Sequence, residues 1–288
     1  MFLKVKNYLS LVKFSHTIFA MPFALIGYFF AYYKRPLNHD WWLFFKVILC
    51  MVFARNAAMS FNRLVDRHFD RLNPRTSGRE IPRGVISPES VLAFTIINAI
   101  LFILTTYFIN PLVLFLSPIA LGVVLFYSYT KRFTMFSHLV LGLGLSLAPI
   151  GAYLSVTGQF RLVPILYSLV VLFWVAGFDI IYALQDEEFD RNFKLHSIPA
   201  ALGTRWALAI ALALHFISAL IIVTIGLLAG FNFYYWIGAF LFEALMIYQH
   251  HLVRHTDISK VNMAFATTNG LASVVFAIFN IISILTTI

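Results

Sequence analysis

The sequence predicts an all-α integral membrane protein, because three of its features do not suit a soluble domain. Hydrophobic residues make up 61% of the 288 residues and charged residues only 11%, whereas a soluble domain carries roughly 25% charged residues. The apolar residues form runs close to the roughly 20 residues that a helix needs to cross a bilayer. These runs lack the period-two alternation of a membrane β-barrel, so helices are the predicted spanning elements.

Nine apolar runs are long enough to be transmembrane helices. They cover residues 14–33, 41–61, 90–109, 111–128, 136–157, 162–183, 205–229, 231–250 and 262–285. The third and fourth runs meet at Asn110-Pro111, a turn signal because proline disfavours helix in the residue before it. No separate soluble segment interrupts the series, so we predict one domain over residues 1–288.

The basic residues favour one orientation of these nine spans in the inner (plasma) membrane. With a cytoplasmic N-terminus, sixteen Lys and Arg lie in cytoplasmic segments, four lie outside, and Arg55 lies within a span. The positive-inside rule therefore places both acidic motifs described below on the cytoplasmic side. The net charge of +9 is explained by these loops and by anionic lipid, and nucleic acid is not a predicted partner.

Acidic residues concentrate in two motifs, each at the end of an apolar run. Seven of the twelve Asp and Glu residues belong to them. Asn62, Asp66 and Asp70 follow the second run at four-residue intervals, and Asp186 and Asp190 follow the sixth run at the same interval. On a helix this spacing places the side chains on one face, where like charges repel one another. We expect a cation at each motif.

The donor chemistry of the two motifs predicts that this cation is Mg²⁺. Carboxylate and amide oxygens are hard ligands, and no cluster of Cys or His accompanies them. Mg²⁺ held by a few carboxylates usually completes its coordination with water and with substrate phosphates. The sequence therefore predicts a membrane enzyme that binds a diphosphate through Mg²⁺. An interfacial acid patch paired with nearby arginines is the structural alternative.

Basic residues close to the motifs are candidates for binding the diphosphate, since Arg and Lys are the usual partners of phosphate oxygens. The candidates are Arg75, Arg79, Lys131, Arg132 and Lys194. From composition alone, each of them fits equally well as a topology anchor at the lipid surface.

Two ionisable residues lie deeper in apolar runs. Asp179 precedes Asp186 by one to two helical turns, and Arg55 precedes Asn62 by about two turns. A charge at bilayer depth costs about 2.5 kcal/mol or more, so a functional role is expected for both. Arg55 is predicted to bind a substrate carboxylate through paired hydrogen bonds. A pair with Asp179 or with a carbonyl group is the alternative for Arg55.

The two motifs resemble those of the UbiA superfamily of intramembrane prenyltransferases. Asn62-x-x-x-Asp66-x-x-x-Asp70, followed by Asn73-Pro74-Arg75-Thr76, is similar to the first aspartate-rich motif of that family. Asp179-x-x-Tyr182-Ala183-x-x-Asp186-x-x-x-Asp190 is similar to the second. Residues 127–132 and 195–199 extend the resemblance, which is strongest to the 4-hydroxybenzoate polyprenyltransferase branch.

This resemblance implies a fold and a metal centre. The nine helices are expected to surround a central cavity that opens sideways to lipid, with a cytoplasmic cap where two Mg²⁺ ions and a polyprenyl diphosphate bind. Asn62, Asp66 and Asp70 would hold one ion, and Asp186 and Asp190 would hold the other.

The resemblance also implies a place for the acceptor, an aromatic acid, deeper in the cavity. Asp179 stands where the family has an acid near the acceptor, and we predict Asp179, Arg55 and Tyr182 as the catalytic residues. Two positions depart from the family pattern. Arg63 replaces a second acid found in many members, and His196 stands where some members have Lys.

The implied activity is Mg²⁺-dependent transfer of a polyprenyl group from a polyprenyl diphosphate to 4-hydroxybenzoate, in ubiquinone-type quinone biosynthesis. Prenylation of a hydroxynaphthoate in menaquinone synthesis is an alternative. A CDP-alcohol phosphotransferase is another, but it requires an Asp-Gly pair that Ala54-Arg55 lacks. An ion-coupled transporter using Asp179, Glu243 and Arg55 is a third alternative, but it would carry its acids midway across the membrane rather than at one face. The sequence indicates neither the prenyl chain length nor an oligomeric state.

Overall fold

A computed structural model describes residues 2–12, 20–33 and 40–287, and these residues form helices and loops with no β-strand. The helices are α1 (Phe2–Leu11), α2 (Met21–Phe30), α3 (Trp41–Val65), α4 (Arg67–Leu72), α5 (Pro88–Tyr107), α6 (Pro111–Thr130), α7 (Ser137–Thr157), α8 (Leu162–Ala183), α9 (Glu187–Asn192), α10 (Ile198–Ala229), α11 (Phe233–Leu252), α12 (Val261–Met263) and α13 (Asn269–Thr286). A 3₁₀ turn separates α8 from α9, and a π-helical turn separates α12 from α13. The all-helical prediction is confirmed.

Within the described ranges, seven helical segments are long and apolar enough to cross a membrane. They are Trp41–Val65, Pro88–Tyr107, Pro111–Thr130, Ser137–Thr157, Leu162–Asn192, Ile198–Ala229 and Asn269–Thr286. The first predicted span falls partly on residues 14–19, outside the described residues, and its remainder contains the 10-residue helix α2. The eighth predicted span is the 20-residue helix α11, which is not among the seven. The total of nine transmembrane helices stays a prediction.

Helix ends follow the local signals in the sequence. At Asn110-Pro111 the side chain of Asn110 accepts a hydrogen bond from the Val113 N–H at 2.9 Å, and Pro111 opens α6. An N-cap acceptor followed by proline is favourable because the first helical N–H groups have no partner in their own helix. The predicted turn between α5 and α6 is confirmed.

Helix α8 lies at the centre of the molecule. Its residue Trp174 is fully buried and forms ring contacts with Phe23 of α2 and Phe242 of α11, both with centroids 5.4 Å apart. Phe276 of α13 completes this aromatic cluster through its contact with Phe242. The cluster fixes α8 on several sides, so the acidic motif that follows it is carried by a well-packed helix.

Helices α7 and α8 come close together at Gly142. A β-carbon at this position would lie 2.3 Å from the carbonyl oxygen of Leu172, so no larger residue fits there without a shift of the backbone. The two helices run in opposite directions, because Gly142 approaches Leu172 while His138, earlier on α7, contacts Asp179, later on α8. The first turn of α7 therefore lies against the last part of α8.

The helices that carry the acidic motifs are both interrupted at the motif. Helix α3 ends at Val65, the next residue, Asp66, has backbone angles of φ −87° and ψ 2°, and α4 follows. Hydrogen bonds nevertheless continue from the Asp66 N–H to the Asn62 carbonyl and from the Asp70 N–H to the Asp66 carbonyl, at 2.9 and 2.8 Å. The residues at four-residue spacing therefore stay near one another.

Candidate active site

One cavity of about 1030 Å³ contains both acidic motifs. It is lined by all five predicted metal-binding residues, Asn62, Asp66, Asp70, Asp186 and Asp190. The predicted catalytic residues Arg55, Asp179 and Tyr182 and the basic residues Arg75, Arg79, Lys131 and Arg132 line the same cavity. Segments more than a hundred residues apart in the sequence therefore share one site.

Lys194 is the exception among the predicted site residues. It lies just after α9 with a positive φ of 55°, its side chain is exposed, and it is not among the residues that line the cavity. The short turn from α9 to the beginning of α10 directs this residue to the surface. The side chain of His196 is exposed as well, and its backbone N–H donates to the Lys131 carbonyl at 2.6 Å.

The acids of the second motif are held by cations and an amide from other elements. Arg75 donates to both carboxylate oxygens of Asp186, at 2.9 and 2.5 Å, and Asn73 donates to Asp186 at 2.9 Å. Lys131 donates to Oδ1 of Asp190 at 2.9 Å, and the same ammonium lies 2.7 Å from Oδ2, which is buried and has no hydrogen bond among the described residues. The side chains of these two acids are 9% and 1% exposed. Such charge-assisted hydrogen bonds, one of them bidentate, are among the stronger polar contacts in proteins.

The acids of the first motif are held less completely. Arg79 donates to Oδ1 of Asp70 at 2.6 Å, but Oδ2 of Asp70 is buried and has no hydrogen-bond partner among the described residues. Asp66 accepts from the Asn62 amide at 2.9 Å, and its nearest cationic nitrogen, on Arg132, is 3.7 Å away. Burial, followed by the negative charge of Asp70, raises the pKa of the Asp66 carboxyl to about 6.

Four of the five basic residues predicted to bind diphosphate thus contact the acids predicted to bind metal. Their placement brings cations and carboxylates together around one small volume of the cavity. In the described part of the chain, no three His, Cys, Asp or Glu side chains form a metal-binding group by themselves. The oxygen donors and the unpartnered Oδ2 of Asp70 fit Mg²⁺ of the kind that takes one or two carboxylates and substrate phosphates rather than a complete protein cage.

The deeper part of the site contains a histidine that the sequence analysis did not select. Nδ1 of His138, in the first turn of α7, lies 2.7 Å from Oδ2 of Asp179. Asp179 therefore pairs with His138, and the pair between Asp179 and Arg55 considered from the sequence does not form. An ionisable residue inside the fifth apolar run was the available signal, by the argument already applied to Asp179.

Tyr182 connects the deep residues to the second motif. Its hydroxyl accepts a hydrogen bond from Arg75 at 3.0 Å, and its ring stacks on Phe265 with centroids 4.1 Å apart. Arg75 therefore contacts both Asp186 and Tyr182.

The rest of the cavity is apolar and extends along α7. Its lining from that helix includes Val140, Gly144, Ala148, Gly151 and Leu154, so it follows most of a helix about 30 Å long. The cavity therefore joins a charged end to a long apolar groove, which suits a ligand with a charged head and a hydrocarbon tail.

The sequence is similar to known membrane prenyltransferases of one family. The model of the UbiA prenyltransferase family matches residues 20–279. A 4-hydroxybenzoate octaprenyltransferase of Aeromonas salmonicida is 30% identical over 237 residues, covering 82% of each chain. The enzyme of the same name from Aeromonas hydrophila is 29% identical over 238 residues, covering 83% of each.

Solved structures share the fold. A UbiA homologue from Aeropyrum pernix superposes with a TM-score of 0.80 at 28% identity, covering 94% of this chain and 97% of the other. A UbiA homologue from Archaeoglobus fulgidus, bound to DMAPP and Mg²⁺, superposes with a TM-score of 0.78 at 20% identity, covering 97% of this chain and 99% of the other. The second likeness is one of fold alone.

Proposed function

The chain belongs to the UbiA prenyltransferase family, and on that premise we propose that it transfers a polyprenyl group from a polyprenyl diphosphate to 4-hydroxybenzoate, with Mg²⁺, in ubiquinone-type quinone biosynthesis. The observation that carries the proposal is the single cavity in which acids, bases and an apolar groove meet. The named relatives from Aeromonas support the choice of acceptor.

Two Mg²⁺ ions are part of this proposal. Asn62, Asp66 and Asp70 would hold one, and Asp186 and Asp190 would hold the other. When bound, they would supply positive charge that neutralises the diphosphate and improves it as a leaving group. Every one of these carboxylates lies beside a cation or an amide, and this supports the assignment. In the substrate complex the cations would bind the diphosphate instead, and the carboxylates would bind the metal.

The chain's own cations bind and orient the diphosphate in this mechanism. Arg75, Arg79, Lys131 and Arg132 are the basic residues that line the charged end. Arginine suits this role because its planar group can contact two phosphate oxygens at once. Fixed positive charge around the leaving group stabilises the negative charge that develops as its bond to carbon breaks.

The apolar groove then serves the rest of the reaction. It would hold the isoprenoid chain and keep water from the allylic cation that forms when the diphosphate leaves. Arg55 would hold the carboxylate of the acceptor in the deeper part of the cavity, with the ring presented to that cation. Tyr182 lies about one turn from Asp179 on α8 and accepts a hydrogen bond from Arg75, and its ring offers a face that would stabilise positive charge.

The orientation in the membrane belongs to the same proposal. The positive-inside distribution of Lys and Arg supports an orientation in which the charged end of the cavity faces the cytoplasmic side of the inner membrane. Labelling of an introduced cysteine in the loop after α4, from either side of sealed vesicles, would test this orientation.

The decisive experiment incubates purified protein in liposomes with a labelled polyprenyl diphosphate, Mg²⁺ and a panel of aromatic acids, followed by mass spectrometry of the products. We expect prenylated 4-hydroxybenzoate. Preference for a hydroxynaphthoate would revise the acceptor, and release of CMP from a CDP-alcohol without any prenylated product would overturn the reaction class. Arg191→Ala is a matched control, because Arg191 is 60% exposed and pairs with Glu187 at the surface beside the second motif.

A further inference from the structure

His138 and Asp179 form a hydrogen-bonded pair at the deep end of the cavity. The side chain of His138 is 1% exposed and that of Asp179 is 16% exposed, and both line the cavity. Nδ1 of His138 lies 2.7 Å from Oδ2 of Asp179. Asp179 is therefore reachable from the cavity, whereas His138 stands behind it.

The second ring nitrogen of His138 defines how the pair is protonated. Nε2 accepts a hydrogen bond from the backbone N–H of Ile198, at 3.3 Å. An imidazole nitrogen that accepts carries no proton, so the proton of neutral His138 is on Nδ1 and is donated to Asp179. One oxygen of the Asp179 carboxylate is thereby held in a fixed position.

The surrounding backbone keeps this arrangement rigid. Ile198 is the first residue of α10 and is 3% exposed. The contact of Gly142 with the Leu172 carbonyl fixes α7 against α8 within about one turn of His138. Residues of three helices therefore meet at the imidazole, and a hydrogen bond at each ring nitrogen orients it towards Asp179.

From this geometry we propose that His138 is a positioning residue, which holds one oxygen of Asp179 so that the other oxygen faces the acceptor ring and removes its proton. The inference rests on the proposed prenylation of an aromatic acid. It adds a residue that the aspartate motifs do not contain, and it assigns a direction to the Asp179 carboxylate.

The bond changes define what Asp179 must do. The carbon–oxygen bond of the allylic diphosphate breaks and its electron pair leaves with the diphosphate. A π pair of the acceptor ring forms the new carbon–carbon bond, and the adjacent ring carbon becomes cationic. The electron pair of the ring C–H bond then restores aromaticity, and its proton passes to Asp179, which releases it to water when the products leave.

A purely structural role for His138 would depend on the other hydrogen bond, the one from Ile198 at the beginning of α10. Two substitutions separate these roles. His138→Asn keeps an N–H donor at the δ position, towards Asp179, and loses the acceptor at the ε position. His138→Gln carries its amide at the ε position, towards Ile198, and loses the donor towards Asp179.

The test measures kcat with ordinary acceptor and with acceptor deuterated at the ring carbon that is prenylated. Loss of a hydrogen bond to a charged group lowers kcat by about 10- to 100-fold, so we expect this loss in His138→Gln and in His138→Phe, with KM for the polyprenyl diphosphate unchanged. In both variants a deuterium isotope effect on kcat should rise above that of the wild type, because proton removal becomes slower. His138→Asn should recover most of kcat and the wild-type isotope effect.

The outcomes separate this inference from the proposed function. If the wild type prenylates no aromatic acid, the proposed function fails. If the wild type prenylates its acceptor but His138→Gln keeps the wild-type kcat and isotope effect, the inference on His138 is overturned. The same holds if His138→Asn is as impaired as His138→Phe, because the contact with Ile198 would then be the important one. If His138→Phe does not fold in detergent, the comparison of His138→Asn with His138→Gln still tests the positioning role.

Discussion

The two aspartate motifs are alike in backbone but differ in what holds them. Each follows a long apolar helix that is interrupted at the motif, and each places its acids on the same cavity. The second motif is tightly held, with Asp186 contacted by Arg75 and Asn73 from the loop that follows the first motif. In each motif one buried carboxylate oxygen, Oδ2 of Asp70 or Oδ2 of Asp190, has no hydrogen bond among the described residues, but Oδ2 of Asp190 lies 2.7 Å from the Lys131 ammonium. The nearest cationic nitrogen to Asp66, on Arg132, is 3.7 Å away.

The two motifs therefore have unequal structural roles. The loop after the first motif reaches across the cavity to the acids of the second, so the second motif ties the two halves of the charged end together. Asp66 and Asp70 contribute less to that connection and have more donor capacity remaining for a metal. The following predictions test this comparison, beginning with the largest expected effect.

Removal of the metal should affect both motifs at once. With EDTA we expect complete loss of prenyl transfer, and recovery when Mg²⁺ is added, because hard carboxylate ligands define both proposed metal positions. The measurement is product formation in liposomes at controlled free Mg²⁺. Full activity in metal-free buffer would contradict a metal role for either motif.

Substitution of one acid in each motif should separate function from stability. Asp66→Ala and Asp186→Ala are both expected to abolish turnover, because each removes a proposed metal ligand. Only Asp186→Ala should also lower the free energy of unfolding, by about 1–3 kcal/mol, because it leaves Arg75 and Asn73 without their partner. Asp66→Ala should change stability by less than about 1 kcal/mol, since its pair with Arg132 is long and partly exposed.

Thermal unfolding in detergent, measured beside turnover, checks this pair of predictions. A near-normal rate in Asp66→Ala would make the first motif structural. Equal melting temperatures for the two variants would mean that the contacts of Asp186 do not connect the two halves of the site.

The comparison continues deeper in the cavity, where each motif helix carries a charged residue within its apolar run. Arg55 lies on α3 and Asp179 lies on α8. If Arg55 binds the acceptor carboxylate, Arg55→Ala should lose about 1.5–3 kcal/mol of a charged hydrogen bond, which raises KM for the acceptor by roughly one to two decades. KM for the polyprenyl diphosphate should change little.

Arg55→Lys is the matched control for this prediction, because it keeps the charge but loses the planar group. It should recover part of the acceptor affinity. An unchanged acceptor KM in a well-folded Arg55→Ala variant would end the carboxylate role, and a parallel weakening of both substrates would indicate a structural arginine.

The smallest expected effects are those of substitutions at two lysines beside the second motif, and these two lysines differ in their position relative to the cavity. Lys131 contacts Asp190, which is 1% exposed, whereas Lys194 is exposed and does not line the cavity. Lys131→Ala should raise KM for the polyprenyl diphosphate by about tenfold or more. Lys194→Ala should change it by no more than about twofold, as for an ordinary surface substitution. Initial rates at varied donor concentration provide both values, and an equal effect in Lys194→Ala would place that lysine at the diphosphate.

Much of the fold could be predicted because the signals for it are local. Hydropathy located five of the seven helices that are long and apolar enough to span a membrane within a few residues of their observed bounds. The exceptions are α13, which begins at Asn269 rather than near residue 262, and α10, which begins at Ile198 rather than near residue 205 and includes a non-helical residue, Gly203. That break follows from a backbone conformation with φ 78° that glycine accepts, and the apolar pattern does not record it.

The sequence predicted which residues form the site and what kind of ligand they suit, but it did not predict the contacts between those residues. Spacing identified the acids, and their oxygen donors indicated Mg²⁺. The hydrogen-bond partners of these acids could not be predicted from the sequence, because they are distant along the chain: Arg75 and Asp186 are 111 residues apart. His138 was missed because a single histidine in an apolar run carries no motif.

The all-helical membrane architecture, the position of the two aspartate motifs and the kind of ligand that they suit follow from apolar length, helical spacing and donor type, which are properties of consecutive residues. The contacts between each cation and its acid depend on the packing of the helices, as do the position of Lys194 outside the cavity and the contact of His138 with Asp179. Several cations satisfy the charge of any one acid, so the choice among them is made by the packing of helices that are distant in sequence.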